Sequence, residues 1–161
     1  MPDLTRRVRK HRASDLRSGE NVLRSLFGQP PGSKTRTLNS YAGEAIGASG
    51  RRIGDPLDLT GKQVAAWNAQ FDNPLSSRIP TRNVYITLTD QRLLVHTATV
   101  LGKPKKLVAE FALEELKNVR IEKGTDPEVF VTYVDDSVTS LVMLSNQKPD
   151  EFAEAWHALS H

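Results

Sequence analysis

From Asn83 to Leu144 the chain is a succession of short runs rich in β-branched and aromatic residues, each cut off by turn chemistry. That pattern predicts a meandering antiparallel sheet, because such side chains fit a pleated, half-buried surface while Gly, Pro, Asn and Asp supply the reversals. Asn83 to Thr89 reads as one strand, Asp90-Gln91 turns it, and Arg92 to Ala98 returns as its hairpin partner. Val100 to Lys105, with Gly102 and Pro104, is a loop. Lys106 to Ala112 then alternates, with Leu107, Ala109 and Phe111 on one face and Val108 and Glu110 on the other. Leu113 to Leu116 makes a tight helical turn, and Asn118 to Lys123, Val129 to Val134 and Val138 to Leu144 follow as strands. The period then changes. Pro149-Asp150 opens a helix to Leu159, in which Phe152, Ala155, Trp156 and Leu159 mark one buried stripe.

The first half is less regular. Pro2 to Arg17 predicts a short helix with Asp3 as its N-cap and a thin apolar stripe of Leu4, Val8 and Leu16. Arg6, Arg7, Arg9, Lys10 and Arg12 crowd its other faces. Arg17-Ser18-Gly19-Glu20 is a turn, Asn21 to Phe27 supplies a first strand, and Gly28 to Gly32 stops it. Residues 28–82 read as a long insertion before the second strand. Within it Thr60 and Gln63 have the spacing of a capping box, with Val64, Trp67 and Phe71 at helical intervals, so Gly61 to Gln70 is expected to be helical. Tyr41 to Ser49 reads as flexible, since Gly43 and Gly47 would each cost a helix roughly 1 kcal/mol.

At 161 residues there is room for one core, not two. No run approaches the roughly 18 consecutive apolar residues of a membrane span, and the basic N-terminal stretch has no apolar segment behind it, so neither insertion nor secretion by a signal peptide is expected. The absence of cysteine excludes disulfides, thiolate chemistry, zinc fingers and iron–sulfur clusters. Charge is unevenly placed. Met1 to Thr37 holds nine Lys and Arg against three acids, and Asn83 to His161 eight against twelve. A cationic first quarter on a mildly acidic remainder suggests an arm that meets phosphate or carboxylate, either on another molecule or on its own domain.

An N-terminal strand, six later strands and a final amphipathic helix are the elements of a pleckstrin-homology-like barrel, whose open end a helix bearing Phe152 and Trp156 would plug. Several segments carry a closer likeness. Leu16 to Leu23 is similar to the L-x-x-G-E-x-V-L opening of bacterial PH-like families, Leu88 to Val95 resembles their L-T-D-x-R-L-L-V hairpin, and Gly102 to Phe111 and Val119 to Lys123 fit the strands that follow. The chain thus resembles the bacterial PH-like, YokE-like families over Leu16 to Phe27 and Asn83 to Leu159. The fold expected is α+β: a closed, PH-like seven-strand antiparallel barrel with a C-terminal helical cap. A basic N-terminal helix at 1–17 precedes a PH-like domain at 18–161 that carries the 28–82 insertion.

Catalytic chemistry is not readable. His11, His96, His157 and His161 are scattered, no nucleophile elbow, phosphate loop or zinc-binding H-E-x-x-H occurs, and no metal or other cofactor is expected. His96 reads as a barrel-wall residue, and Asp135-Asp136 and Glu114-Glu115 as solvated turns. The binding candidates are basic: Arg6, Arg7, Arg9, Lys10 and Arg12 in the arm, and Lys103, Lys105 and Lys106 between the third and fourth strands. Lys34, Arg36, Arg51, Arg52 and Arg78 add to a neighbouring loop. The function expected is a noncatalytic cytoplasmic adaptor that binds a protein partner or self-associates, since PH-like barrels take peptides along a strand edge or beside the last helix. The alternative is weak docking to an anionic membrane surface through the arm and the Lys103 to Lys106 loop. Nucleic acid is disfavoured, because the arm has no aromatic residue on which a base could stack.

Overall fold

The computed structural model describes residues 4–30, 55–124, 126–143 and 147–159. In it the alternating runs form seven antiparallel strands: β1 (Val22–Gln29), β2 (Val84–Thr89), β3 (Arg92–Ala98), β4 (Pro104–Ala112), β5 (Leu116–Glu122), β6 (Glu128–Tyr133) and β7 (Val138–Met143). They are ordered β4-β3-β2-β1-β7-β6-β5. Two hairpin ribbons, β1 to β4 and β5 to β7, are joined where Gly28 and Gln29 of β1 pair with Met143 and Val142. Beyond that short seam the side chain of Gln147 takes over the ladder, accepting from the Phe27 N–H at 2.7 Å and donating to the Phe27 carbonyl at 2.5 Å. Gly28 continues the first strand instead of ending it. A Cβ there would lie 3.0 Å from Leu141 Cβ and 3.2 Å from the Val142 carbonyl oxygen, so the two ribbons meet this closely only at a glycine.

The helix at Pro149–Leu159 is the predicted cap, with Phe152 and Trp156 buried in the main core beside Leu26, Ile86, Leu88, Val119, Val131 and Met143. It packs on β1, β2 and β5 and so ties both ribbons together. Each large aromatic removed from water there contributes on the order of 2–3 kcal/mol.

The expectation of a closed cylinder is corrected. β4 and β5 are the two ends of the sheet and do not pair. The short helical turn Leu113–Glu115 between them is capped by its own Glu115, which accepts from the Ala112 N–H at 3.0 Å. Arg78 then occupies the gap: it donates to the outward carbonyl of Glu110 at 3.2 Å, pairs with Glu115, and lies over the Phe111 ring. A main-chain acceptor that a closing strand would have used is therefore taken by a side chain.

The N-terminal helix α1 is shorter than predicted, Leu4–His11, followed by a helical turn at Ala13–Asp15. Its proposed cap, Asp3, lies outside the described residues. The thin stripe holds: Val8 is fully buried against Val22 and Tyr85, with Leu4 and Leu16 alongside. Of the insertion, Tyr41 to Ser49 lies outside the described residues, as do Lys34, Arg36, Arg51 and Arg52. The described part, from Asp55 onward, packs first on the second ribbon and then, at Leu75–Arg78, against β4 of the first. Helix α2 (Gly61–Asn68) begins as expected, with the Gln63 side chain accepting from the Thr60 N–H at 2.9 Å. Leu59, Val64 and Trp67 join Phe130 and Val138 in a second small core. The C-terminal cap helix is α3.

Candidate binding surface

The motif residues that carry the family resemblance converge in space on a buried polar cluster. Gly19, at φ 76°, turns the chain so that Glu20 points inward. Its carboxylate is held by Arg92 in a two-point bond, Nε to Oε2 and Nη2 to Oε1, each 2.9 Å, and by the Thr89 hydroxyl at 2.6 Å. Asp90 accepts from the backbone and side chain of Asn21, tying the β2–β3 tip to the start of β1. Arg92 also donates to the Asp15 carbonyl at 2.7 Å and to Glu110 at 2.5 Å. Burial alone would raise the Glu20 pKa, but Arg92, the Arg17 N–H and Thr89 outweigh it and bring it to about 2. The cluster serves architecture: both motif strings are satisfied by each other, with no group turned toward a ligand.

His96 is fully buried in β3 of the open sheet, and it has a partner, Asp15, at 3.0 Å from Nε2. Hydrogen bonding from Arg12 lowers the Asp15 pKa, with His96 adding to it, so the carboxylate accepts and Nε2 carries the proton. Burial lowers the His96 pKa, only partly countered by Asp15, and Nδ1 has no partner.

The arm's cations are largely spent within the fold. Arg9 donates to the Val22 carbonyl at 2.6 Å, Arg12 to Asp15 at 2.7 Å, and Arg7 to the Gly102 carbonyl at 3.3 Å and to Tyr85 at 3.4 Å. Arg6 and Lys10 are exposed on α1. Arg7 thus reaches the loop that bears Lys103, whereas Arg9 is held at the start of β1 and Arg12 on Asp15.

That loop is closed by hydrogen bonds and apolar at its tip. Thr99 closes it on both sides: its N–H donates to the Lys103 carbonyl at 2.7 Å, its carbonyl accepts from the Gly102 N–H at 2.9 Å, and its hydroxyl accepts from the Lys103 N–H at 3.0 Å. The Tyr85 hydroxyl also donates to the Gly102 carbonyl. Val100 and Leu101 are thereby held fully in solvent, 104% and 82% exposed, directly before Lys103, Lys105 and Lys106. The sequence reading passed over this pair because two aliphatic residues in a loop carry no periodic signal.

Beside the loop, a groove of about 420 Å³ runs between the edge of β4 and residues 77–82. Arg78, Arg82, Lys105 and Lys106 line it, with Ser77, Thr97 and the half-exposed Val108. Arg78 is committed to Glu115, but among the described residues Arg82, Lys105 and Lys106 make no ion pair. Arg82 and the groove itself were not foreseen, since the insertion's return segment had no motif to place it beside β4. At the other sheet edge a groove of about 490 Å³ separates β5 from α3, lined by both signs: Arg120, Lys123, Asp150 and Glu154.

Asp135-Asp136 differs from a plain solvated turn. Asp135 accepts from the Leu75 N–H at 2.8 Å and from Ser137, and the Asp136 carbonyl accepts from Trp67 Nε1 at 2.6 Å, so the turn anchors the insertion. Among the described residues no group of three His, Asp or Glu is placed to hold a metal ion, and no helix is long and apolar enough to cross a membrane.

No protein-family model and no curated sequence matches the chain. Among solved structures it is similar to the "Vps36 N-terminal PH domain", at 14% identity and a TM-score of 0.44, over 90% of this chain and 83% of that one.

Proposed function

We propose that this chain is a noncatalytic binding module that holds a protein partner at an edge of its open sheet, acting as an adaptor. The YokE-like resemblance gives the setting of this reading, a cytoplasmic bacterial protein. The observation that carries it is that β4 and β5 each have an outer edge with no strand partner among the described residues, and that each borders a groove. An exposed strand edge offers main-chain donors and acceptors in a row, which an extended segment can meet without special sequence. Helix α1, strapped to β1 through Arg9 and to the β3–β4 loop through Arg7, sets the orientation in which the partner is held.

The test compares partners captured from native extract by the wild-type protein, by Val108→Pro at the β4 edge, and by Asp150→Lys/Glu154→Lys at the β5 groove, with circular dichroism to confirm folding. Loss of the same partners in either variant is expected, and an unchanged set in both overturns the reading. Gel filtration at two ionic strengths checks self-association.

A second reading rests on Val100 and Leu101. An aliphatic tip collared by lysines suits an anionic bilayer surface, where each basic residue contributes about 1 kcal/mol and the tip enters the interface. Flotation with liposomes of increasing phosphatidylserine content tests it, and recovery that stays flat excludes it.

A further inference from the structure

We infer that the groove along β4 takes an acidic segment of a partner protein, in extended conformation, as an added strand. The inference rests on the edge-binding reading and names both the edge and the chemistry of the ligand. Phe111, Glu110 and Ala109 lie opposite Leu93, Leu94 and Val95, and the ladder then shifts register so that Val108 has no partner on β3, which leaves main-chain groups of this edge facing outward. Arg78 shows that geometry directly, since its guanidinium already bonds the Glu110 carbonyl. Val108, Lys106 and Lys105 of this strand line the groove, with Arg78 and Arg82 on its other side.

Charge selects the occupant. Arg82, Lys105 and Lys106 line the groove without an ion pair among the described residues, and none of the lining side chains is acidic. A second copy of the chain docked edge to edge would set this cationic wall against itself. An incoming strand with carboxylates at alternate positions places them all on one face, within reach of Lys106 and Arg82, while its backbone pairs with β4. The β5 groove carries both signs and makes no such selection.

The experiment uses the full chain and a fluorescein-labelled octapeptide alternating Glu with Val and Thr, read by fluorescence anisotropy. Comparison probes are the same pattern with Lys for Glu, the acidic peptide N-methylated at alternate amides, inorganic polyphosphate, and phosphatidylserine vesicles. Binding of the acidic peptide alone is expected, weakened by about tenfold or more in Lys105→Glu/Lys106→Glu and by Val108→Pro. Lys10→Glu, outside the groove, leaves it unchanged. Equal binding of the N-methylated peptide or of polyphosphate reduces the groove to a charge patch and overturns the inference. Vesicle binding that depends on Lys105 and Lys106 in place of the peptide assigns the groove to lipid and also overturns it. If native partners are lost with Asp150→Lys/Glu154→Lys but kept with Lys105→Glu/Lys106→Glu, this inference falls while edge binding stands. If both variants keep them, both readings fall.

Discussion

Arg92 meets Glu20 edge to edge across 72 positions of sequence, with two parallel bonds of 2.9 Å and almost no solvent on either side chain. A guanidinium fork matched to a carboxylate gains geometric specificity as well as energy, and here it fixes the first strand against the hairpin. Removing one partner leaves the other charged and buried. Arg92→Ala is expected to cost about 3–5 kcal/mol in urea unfolding. Arg92→Lys should recover only part of this, because an ammonium cannot span both carboxylate oxygens. An Arg92→Ala protein as stable as the wild type would remove the cluster's architectural role.

The same cluster sets the response to acid. Glu20 falls from an ordinary 4.5 to about 2, so the unfolded chain binds its proton first and stability drains away as pH falls from 4.5 toward 2, by up to roughly 3 kcal/mol. His96 acts higher on the scale and in the same direction. Its lowered pKa means the unfolded chain takes up the proton near 6.5, so stability falls with pH from there toward the folded value. Urea midpoints at about pH 7.5, 5.5 and 3.5 should therefore decline in two stages. His96→Gln should flatten the upper stage and leave the lower one, and a pH-independent midpoint would contradict both.

The ribbon seam is sensitive at one position. In Gly28→Ala the new methyl meets the end of Met143 at 2.6 Å, which can swing aside, but also Leu141 Cβ and the Val142 carbonyl, which cannot. A loss of about 1–3 kcal/mol is expected, and Met143→Ala in the same chain should not restore it.

At the cap, Trp156→Ala removes a large ring from a site that is 6% exposed and opens a cavity between the ribbons. Thermal or urea unfolding should register a loss of about 3–5 kcal/mol. A change within about 0.5 kcal/mol would mean that α3 is not an integral part of the core.

Val100→Ser/Leu101→Ser separates docking from folding. Both side chains lie in solvent and contact nothing in the core, so stability should change by no more than about 0.5 kcal/mol. Under the membrane reading the same substitution abolishes liposome flotation, and retained flotation rejects the tip as the anchor.

What the sequence disclosed was what local pattern dictates. Strands β2, β3, β6 and β7 and helix α3 lie within a residue or two of the expected positions, because period-2 alternation and the i, i+3, i+4 stripe of Phe152 and Trp156 are local signals. Gly28 looked like a strand end, since its role as the meeting point of two ribbons depends on a residue more than a hundred positions away. The opening between β4 and β5 was hidden for the same reason: it is held by Arg78, which sits in the insertion. For binding, the sequence located Lys103 in the β3–β4 loop but placed Lys105 there too, although Lys105 and Lys106 open β4. It left undecided whether the arm meets its own domain, as Arg7 and Arg9 do, while Arg12 pairs with Asp15 inside the arm. Nor could it show that Arg82 comes to face Lys105 and Lys106 across a groove. Glu20 and Arg92 stood within the recognised strings, and only folding shows that those strings are two halves of one contact.

The narrow junction at Gly28 and Gln29 also bears on how the molecule responds to temperature. With so few main-chain rungs there, the halves are joined chiefly by the oily underside of α3 and the side chains around it. Adhesion of that kind weakens on chilling. Chilling is then expected to loosen the grip of the two leaves on each other before it affects the hydrogen-bonded ladders within each.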